Sequence, residues 1–373
     1  MTQPEHRDYL NAYVASSLYD SDFNAKLYQD SLGQLRDLLE FDHYRHYRLP
    51  EGFVSQYVNT DDHGRRVSAN PPRDAGQYLV HFFGGSTACG IGTEDRFTIA
   101  SLLSSALNEM SETSAHVRNY GVGGYNNSQE LAYLMQSLST EEIPDLVIFY
   151  DFANEALTAE RELWLPMRER SRGFLTPNTV AAPMNEHVVS TTPVIVKLAE
   201  SMVGVLRRLS SYKFLSLIRK RLNDRAIAPS HNSLGSEALQ RTGDPLVTTV
   251  ERCLDNYDRN MRVINAIAKE YGFNTMFIMQ PTLFTKSSLS TYEKRTAENP
   301  GYTQRRYEEA IYQGARTRFS KYDNFYDLSN IFADEASTIY LDDHHMSEKG
   351  NRAIAKALAE LISTTLAREV DVR

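Results

Sequence analysis

The stretch QYLVHFFGGSTACG, residues 77–90, decides the fold of this chain. Its first half is a run of apolar and aromatic residues, and the run ends in Gly84, Gly85 and Ser86. Glycines at the end of an apolar run are typical of a buried strand that turns sharply into a helix. Ser86 is then either a nucleophile at the end of a strand or a residue that caps the helix.

Strand-like and helix-like segments alternate along the rest of the chain. After 77–83, apolar runs predict strands at 115–121, 144–151, 273–280 and 324–329, and helical spacing predicts helices at 96–110, 128–138, 250–272, about 303–320 and 347–366. Apolar strands separated by helices form a parallel sheet that is covered on both faces. The sequence therefore predicts an α/β fold.

Two regions do not follow this alternation. Residues 1–75 are polar and rich in tyrosine, and the turn-forming segment 69–76 separates them from the rest of the chain. We interpret 1–75 as an N-terminal extension and 76–373 as the main domain. Within that domain, residues from about 156 to 245 include the only tryptophan, Trp164, and predict a largely helical insertion.

The composition excludes several classes of function. The formal net charge of −8 argues against a general affinity for nucleic acid, whose phosphates require a basic face. The two cysteines, Cys89 and Cys253, lie far apart and give neither a disulfide framework nor the spacing of a zinc site, which fits a reducing compartment. No signal segment is recognisable and no window reaches about 18 apolar residues, so we expect a cytoplasmic protein.

The segment 203–222, VGVLRRLSSYKFLSLIRKRL, combines apolar and basic residues at helical spacing. A basic amphipathic helix either packs its apolar side on the protein core, which is the commoner case, or lies on an anionic membrane surface. Peripheral membrane contact through 203–222 therefore stays open. Nothing in the sequence indicates an oligomeric state.

Five loops are expected at one edge of the sheet, because ligands of parallel α/β proteins bind outside the carboxyl ends of the strands. These loops are GGSTACG (84–90), NYGVGGYNN (119–127), YDFANEAL (150–157), QPTLFTK (280–286) and YLDDHHMSEKGN (340–351). The chemistry of the protein is expected there.

Ser86 is an effective nucleophile only if a base lies close to it. His345 supplies an imidazole, and Asp342 precedes it by three residues, a spacing that on one turn separates side chains by about 5–6 Å and lets a carboxylate orient the ring. We predict a catalytic triad of Ser86, Asp342 and His345. The backbone amides of Ser86 and Gly124 and the side-chain amide of Asn154 are candidate donors to a developing oxyanion.

Each of these features also has a structural interpretation when it stands alone. Ser86 or Asn154 could cap a helix, and glycines usually mark turns. DDHH (342–345) could bind a metal, but no further His or Asp cluster completes a site, so we predict no metal. Cys89 fits a small buried residue better than a thiol nucleophile. The glycine loops match neither the dinucleotide pattern G-x-G-x-x-G nor the hydrolase pattern G-x-S-x-G.

At four of these loops the residues resemble those of the SGNH hydrolases, the GDSL-like lipases and esterases. That family carries a serine in a Gly-Asp-Ser or similar turn, a glycine, a Gly-x-Asn-Asp segment, and an Asp-x-x-His pair near the C-terminus. The matching segments are GGST with Ser86, GVGGYN with Gly124, DFANE with Asn154, and DDHH with Asp342 and His345. The resemblance covers about residues 77–366 apart from the insertion. The continuation HMSEKGNRAIAKAL favours His345 over His344 as the base.

Three positions depart from the family pattern. Gly85 replaces the aspartate before the serine, which is not the acid of the triad, Phe152 replaces the glycine of the third segment, and Glu155 replaces the aspartate that follows the asparagine. Phe152 is expected to narrow the pocket or to shift the asparagine. Together with Tyr125 and Trp164 it is a candidate substrate contact, and the insertion is a candidate lid.

The resemblance implies a three-layer α/β/α sandwich of the flavodoxin type that hydrolyses a carboxylic ester through an acyl-enzyme, without a metal or other cofactor. The branch of the family that the sequence resembles is found beside bacterial polysaccharide genes, which implies an acetyl group on a carbohydrate. The expected partner is therefore a small-molecule or saccharide ester. Two alternatives stay open: an acyltransferase in which a sugar hydroxyl replaces water, and a catalytically idle binding or scaffold protein.

Overall fold

The computed structural model of the protein describes residues 38–71, 74, 76–110, 114–164, 245–299 and 305–371. Apart from 245–248, these residues belong to one compact unit. Most of the predicted insertion (156–245), with the basic segment 203–222, and the first half of the predicted extension lie outside the described residues. Among the helices described, none has the length and apolar character needed to cross a membrane.

A five-stranded parallel sheet forms the centre of this unit. The described strands are β1 (Glu40–Asp42), β2 (His46–Arg48), β3 (Tyr78–Gly84), β4 (Ala115–Gly121), β5 (Leu146–Asp151), β6 (Asn274–Met279) and β7 (Phe325–Asp327). The sheet has the order β4-β3-β5-β6-β7 with parallel neighbours, whereas β1 and β2 form a separate antiparallel pair. The first two strands of the sheet are exchanged relative to chain order, as in flavodoxin-like folds. The predicted parallel sheet is confirmed.

Helices follow the strands, and five of them lie where the apolar periodicity predicts them. The described helices are α1 (Ser86–Cys89), α2 (Ile99–Met110), α3 (Asn127–Thr140), α4 (Ala153–Trp164), α5 (Pro245–Tyr271), α6 (Thr291–Ala297), α7 (Arg305–Phe319) and α8 (Glu348–Asp371), with short 3₁₀ helices at Asp95–Phe97 and Leu283–Thr285. Helix α5 starts earlier than its predicted start at 250, at a proline, which is favoured in the first turn of a helix. Strand β7 is shorter than the predicted 324–329.

Side chains of the central strands alternate between two covered faces. One face forms a hydrophobic cluster with α2 and α8, built from Val80, Phe82, Ile99, Leu103, Ile148, Ile278, Ile354 and Leu358. On the other face, Phe149 stacks between Phe83 and Phe277, with ring centroids 5.4 and 5.2 Å apart. Tyr133 of α3 and Tyr257 of α5 cover these rings. Helices on both faces make a three-layer α/β/α sandwich, and the predicted fold class is confirmed.

The described part of the N-terminal segment, 38–71, packs beside β4 at the edge of the sheet. Arg66 forms an antiparallel bridge with Asn119 of β4, and its side chain is buried. The Tyr47 hydroxyl donates a hydrogen bond to the Gly123 carbonyl oxygen over 2.9 Å. This segment therefore reaches one of the loops in which the chemistry is expected.

Candidate active site

The turn between β3 and α1 places Ser86 at the first position of a helix whose N-cap is Gly85. Both glycines before Ser86 are required sterically. A Cβ on Gly84 would lie 2.8 Å from the Tyr150 carbonyl oxygen, and a Cβ on Gly85 would lie 2.0 Å from Asn154 Nδ2. Because a side chain at either position would push neighbouring strand ends away, the two glycines allow Ser86 to sit among the loops at the carboxyl edge of the sheet.

Asp342 and His345 form the hydrogen-bonded pair that the sequence predicts. His345 Nδ1 lies 2.6 Å from Asp342 Oδ2, and Asp342 Oδ1 accepts the backbone N–H groups of His344 and His345 at 3.0 and 2.7 Å. These contacts fix the carboxylate and favour the imidazole tautomer with its proton on Nδ1. Burial alone would raise the pKa of Asp342, but its interactions with His345 and His344 lower it well below its usual range. The carboxylate therefore stays ionised at neutral pH.

His345 Nε2 is left free to act as a base. This atom is buried and has no hydrogen-bond partner among the described residues, so the free protein has no hydrogen bond between His345 and Ser86. Hydrogen bonds of this kind are often long in the absence of substrate and tighten when it binds. The structure thus brings Asp342 and His345 into direct contact and places Ser86 at the same edge of the sheet.

A buried ion pair supports the loop that carries Asp342. Lys286 Nζ lies 2.5 Å from Glu293 Oε2 and donates to the Ser337 carbonyl oxygen over 2.6 Å, and both charged side chains are fully buried. Glu293 Oε1 accepts the backbone N–H groups of Ile339 and Tyr340 at 2.8 and 3.2 Å. The chain leading to the Asp–His pair is therefore anchored to the interior rather than left as a surface loop.

Two further loops converge beside the nucleophile. Asn154 Nδ2 donates to the Tyr125 carbonyl oxygen over 2.7 Å, which joins the loop after β5 to the loop after β4. A Cβ on Gly123 would lie 4.0 Å from the Ser86 Cβ, so the glycine loop runs alongside the serine. The structure therefore brings together the loops of Ser86, Gly124 and Asn154. Their roles as oxyanion donors stay predictions.

Two hydrogen bonds connect the nucleophile turn with the Asp–His loop through the loop after β6. Thr87 Oγ1 donates to Gln280 Oε1 over 2.6 Å, and the Leu283 N–H donates to the Asp343 carbonyl oxygen over 2.8 Å. These hydrogen bonds fix the three loops relative to one another. The candidate site is thus assembled from five loops, those that follow β3, β4, β5 and β6 and the one that precedes α8.

Two of the three predicted substrate contacts are core residues. The Phe152 ring is fully buried, with its centroid 4.5 Å from that of Tyr257. Tyr125 is buried against Tyr47, at 5.3 Å between centroids, and its hydroxyl donates to the Tyr47 carbonyl oxygen. Because a buried ring cannot touch a substrate in this conformation, the predictions for Phe152 and Tyr125 are corrected. Trp164 ends α4, but its side chain is outside the described part, and its role stays a prediction.

Arg66 supports the nucleophile and was not predicted from the sequence. Its guanidinium donates to the carbonyl oxygens of Cys89 and Thr93 at 3.1 and 2.8 Å and pairs with Asp95 at 2.5 Å. Carbonyls at the end of a helix lack partners within the helix, so Arg66 stabilises the C-terminal end of the helix that starts at Ser86. No periodicity or motif marks this arginine, because its partners lie in a different segment.

The Asp–His loop also presents potential metal ligands. Ligand atoms of Asp342, His344 and His345 lie within 4.8 Å of one another. His344 Nδ1, however, lies 2.9 Å from Asp343 Oδ1. Burial alone would lower the pKa of His344, but Asp343 raises it to about 9, so this imidazole is protonated at neutral pH and cannot ligate a metal. The hydrogen bonding favours an acid–base role for this loop.

Comparison with known proteins finds similarity only among solved structures. No protein-family model matches the sequence. No curated protein matches it. Similar structures include the acetyl xylan esterase AlAXEase (12% identity, 76% of this chain and 99% of that chain, TM-score 0.37). Another is a lipolytic protein of the G-D-S-L family from Desulfitobacterium hafniense (8% identity, 76% of this chain and 99% of that chain, TM-score 0.39).

A third similar structure is Est24, a carbohydrate acetylesterase from Sinorhizobium meliloti (13% identity, 78% of this chain and 100% of that chain, TM-score 0.33). The chain is thus similar, at low identity, to two structures described as esterases and to one described as a G-D-S-L-family lipolytic protein. TM-scores this low carry no argument about the chemistry. The fold class rests on the sheet topology, and the chemistry on the geometry of the loops.

Removing one partner of the ion pair beneath the Asp–His loop should destabilise the protein strongly. We expect Glu293→Gln to lower the free energy of unfolding by about 3–5 kcal/mol, because the buried Lys286 charge would lose its partner. Urea unfolding followed by circular dichroism measures this. Glu335→Gln, which removes an ion pair of half-exposed groups with Lys349, is the matched control and should change stability little. Equal losses in the two variants would contradict the anchoring role of Glu293.

Proposed function

We propose that the protein is a serine esterase that cleaves a carboxylic ester through an acyl-enzyme. The observation that carries this proposal is the orientation of His345. Its Nδ1 is held by Asp342 at 2.6 Å, and its Nε2 is unpartnered among the described residues. An imidazole fixed in this way at the sheet edge that carries Ser86 is equipped to take a proton from a hydroxyl nucleophile.

The reaction follows from the proposed roles of these residues. Ser86 Oγ attacks the ester carbonyl carbon while His345 Nε2 takes the hydroxyl proton. The negative charge on the carbonyl oxygen is stabilised by N–H donors of Ser86, Gly124 and Asn154. The C–O bond of the ester then breaks, and His345 gives its proton to the departing alcohol. Water, deprotonated by His345, attacks the acyl-enzyme and releases the acid, which restores the serine hydroxyl.

The substrate we propose is an acetyl ester of a carbohydrate. Ser86, Asn154 and His345 are 6%, 9% and 6% exposed, so little of the site is open to solvent. A narrow site of this kind suits a short acyl group better than a long chain. The carbohydrate part of the proposal rests on the resemblance of the sequence.

The limited exposure of the site also favours a second candidate function, acyl transfer to a sugar hydroxyl. Exclusion of water lengthens the life of an acyl-enzyme and lets another acceptor compete with hydrolysis. The same residues would serve both reactions. Turnover of an activated acetyl ester in the presence of xylose or glucose distinguishes them, since transfer yields an acetylated sugar and hydrolysis yields acetate.

The decisive test compares the wild type with Ser86→Ala and Asp342→Asn on p-nitrophenyl acetate, butyrate and octanoate. We expect turnover to be fastest on the acetate and to fall by roughly 10³- to 10⁴-fold in both variants, because the nucleophile or the imidazole orientation is lost. Asp343→Asn, which changes the neighbouring carboxylate that pairs with His344, should retain turnover within about tenfold of wild type. A folded wild type without turnover would contradict the esterase proposal and favour a binding protein.

Gly85 gives an independent test of the predicted oxyanion donor. A methyl group at this position would collide with Asn154 Nδ2. We therefore expect Gly85→Ala to fold but to lose about 10²-fold in kcat, since an oxyanion donor is displaced. Gly52→Ala, whose added Cβ meets no atom within 4 Å, is the control and should keep its kcat. Unchanged turnover in Gly85→Ala would remove Asn154 from the proposed mechanism.

A further inference from the structure

We propose that Glu155 is a positioning residue of the oxyanion hole, because its carboxylate fixes the loop of Gly124 against the loop of Asn154. This inference rests on the proposed esterase function and deepens it. In the sequence, Glu155 is notable only as a departure from the aspartate of the family pattern. In the structure it is buried and contacts both loops.

The carboxylate of Glu155 bridges the two loops through backbone groups. Oε1 accepts the N–H of Asn127 over 2.9 Å, and Oε2 accepts the N–H of Phe152 over 2.8 Å. Asn127 is the first residue of α3 and lies three residues after Gly124. Phe152 lies two residues before Asn154. Each carboxylate oxygen therefore holds one of the loops from which an oxyanion donor is predicted.

A second bridge runs parallel to the first. Asn154 Nδ2 donates to the Tyr125 carbonyl oxygen over 2.7 Å, between the same two loops. Asn154 and Glu155, at the start of α4, thus make two hydrogen-bonded connections between the loops, one through an amide and one through a carboxyl group. Two such connections restrict the rotation of one loop against the other, which a single hydrogen bond cannot do. The Asn154 amide is kept beside Ser86 as a result.

The backbone of Phe152 needs this support. Its φ is 93°, a left-handed conformation that is strained for a residue with a side chain. The conformation persists because the Phe152 ring is packed against Tyr257 and its N–H is bound by Glu155. Without the carboxylate, the segment from Phe152 to Asn154 could relax toward an ordinary conformation. Asn154 would then move away from the nucleophile.

The surroundings of Glu155 argue that the carboxyl is kept for more than stability. Burial and the nearby Asp151 raise the pKa of Glu155 to about 8, while the N–H groups of Asn127 and Phe152 oppose this effect. No cation among the described residues forms an ion pair with it. Asp151 itself accepts hydrogen bonds from Asn127 Nδ2 at 3.2 Å and from the Tyr257 hydroxyl at 2.8 Å. Because this pKa keeps the Glu155 carboxyl largely protonated at neutral pH, whereas the unfolded chain would ionise it, burying the group costs stability.

Glu130 provides a matched control in the same cluster. Its side chain is fully buried, and burial together with Asp151 raises its pKa well above the usual range. Its two carboxyl oxygens accept no hydrogen bond from the described residues. Glu130→Gln and Glu155→Gln thus make the same chemical change at neighbouring buried sites. Glu130 interacts with the Asp151 side chain, whereas Glu155 binds the backbone N–H groups of both loops directly.

The test measures kcat and KM of wild type, Glu155→Gln and Glu130→Gln on p-nitrophenyl acetate. We expect Glu155→Gln to lose roughly 10- to 100-fold in kcat with KM within about threefold, because only the transition state has an oxyanion to stabilise. Its affinity for trifluoroacetone, which forms an oxyanion on the serine, should fall in parallel. Glu155→Asp, which keeps the carboxyl group but reaches one loop less well, should have a kcat between those of wild type and Glu155→Gln. Glu130→Gln should stay within about threefold of wild type.

Amide hydrogen exchange in peptides spanning 122–128 and 150–155 adds a readout that needs no turnover. Exchange at both peptides should be faster in Glu155→Gln than in Glu130→Gln, with similar urea midpoints for the two variants. Turnover that is lost in Ser86→Ala but equal in Glu155→Gln and Glu130→Gln would overturn this inference alone. Faster exchange with unchanged kcat would overturn it too. A folded wild type without turnover would overturn the esterase proposal, and this inference with it.

Discussion

The candidate site depends on close backbone approach at three glycines. A Cβ on Gly121, at the end of β4, would lie 2.2 Å from the Cys89 backbone nitrogen, and Cβ atoms on Gly84 and Gly85 would collide with Tyr150 and Asn154. The absence of side chains lets the first turn of α1 settle between the ends of β4 and β5. Only this approach brings a serine at a strand end beside loops from its two neighbours. In this dense packing an added methyl group displaces a neighbouring group of the site.

Buried ionisable side chains then hold the loops that the glycines bring together. Arg66 donates to the carbonyl oxygens of Cys89 and Gly90 at the end of α1. Glu293 accepts backbone N–H groups before Asp342, and Glu155 accepts one N–H from each of two loops. Each of these side chains satisfies backbone groups that have no partner within a helix or strand. Loops at strand ends lack the regular backbone hydrogen bonds of helices and strands. Buried ionisable side chains from elsewhere in the chain bind their backbone groups instead. The loops of the site are therefore fixed by buried hydrogen bonds to side chains.

The sequence was sufficient for the features that depend on local patterns. Alternating apolar runs predicted the sheet and its helices, and the three-residue spacing from Asp342 to His345 predicted a pair that is in contact. It was insufficient where a partner lies far away in the chain, as for Arg66 and Glu155. The sequence was misleading at Phe152, because a residue in a loop next to the site was assumed to point its side chain into the site. Its left-handed backbone and buried ring became visible only in three dimensions.

The measurement that tests the central claim most directly is covalent labelling of the folded protein with a fluorophosphonate, followed by peptide mass spectrometry. The triad proposal predicts one adduct, on the peptide that contains Ser86, with slow labelling in His345→Ala and none in Ser86→Ala. Phosphonylation requires an activated hydroxyl but no knowledge of the natural ester. A folded wild type that remains unlabelled, or that is labelled at another residue, would contradict the claim that His345 activates Ser86.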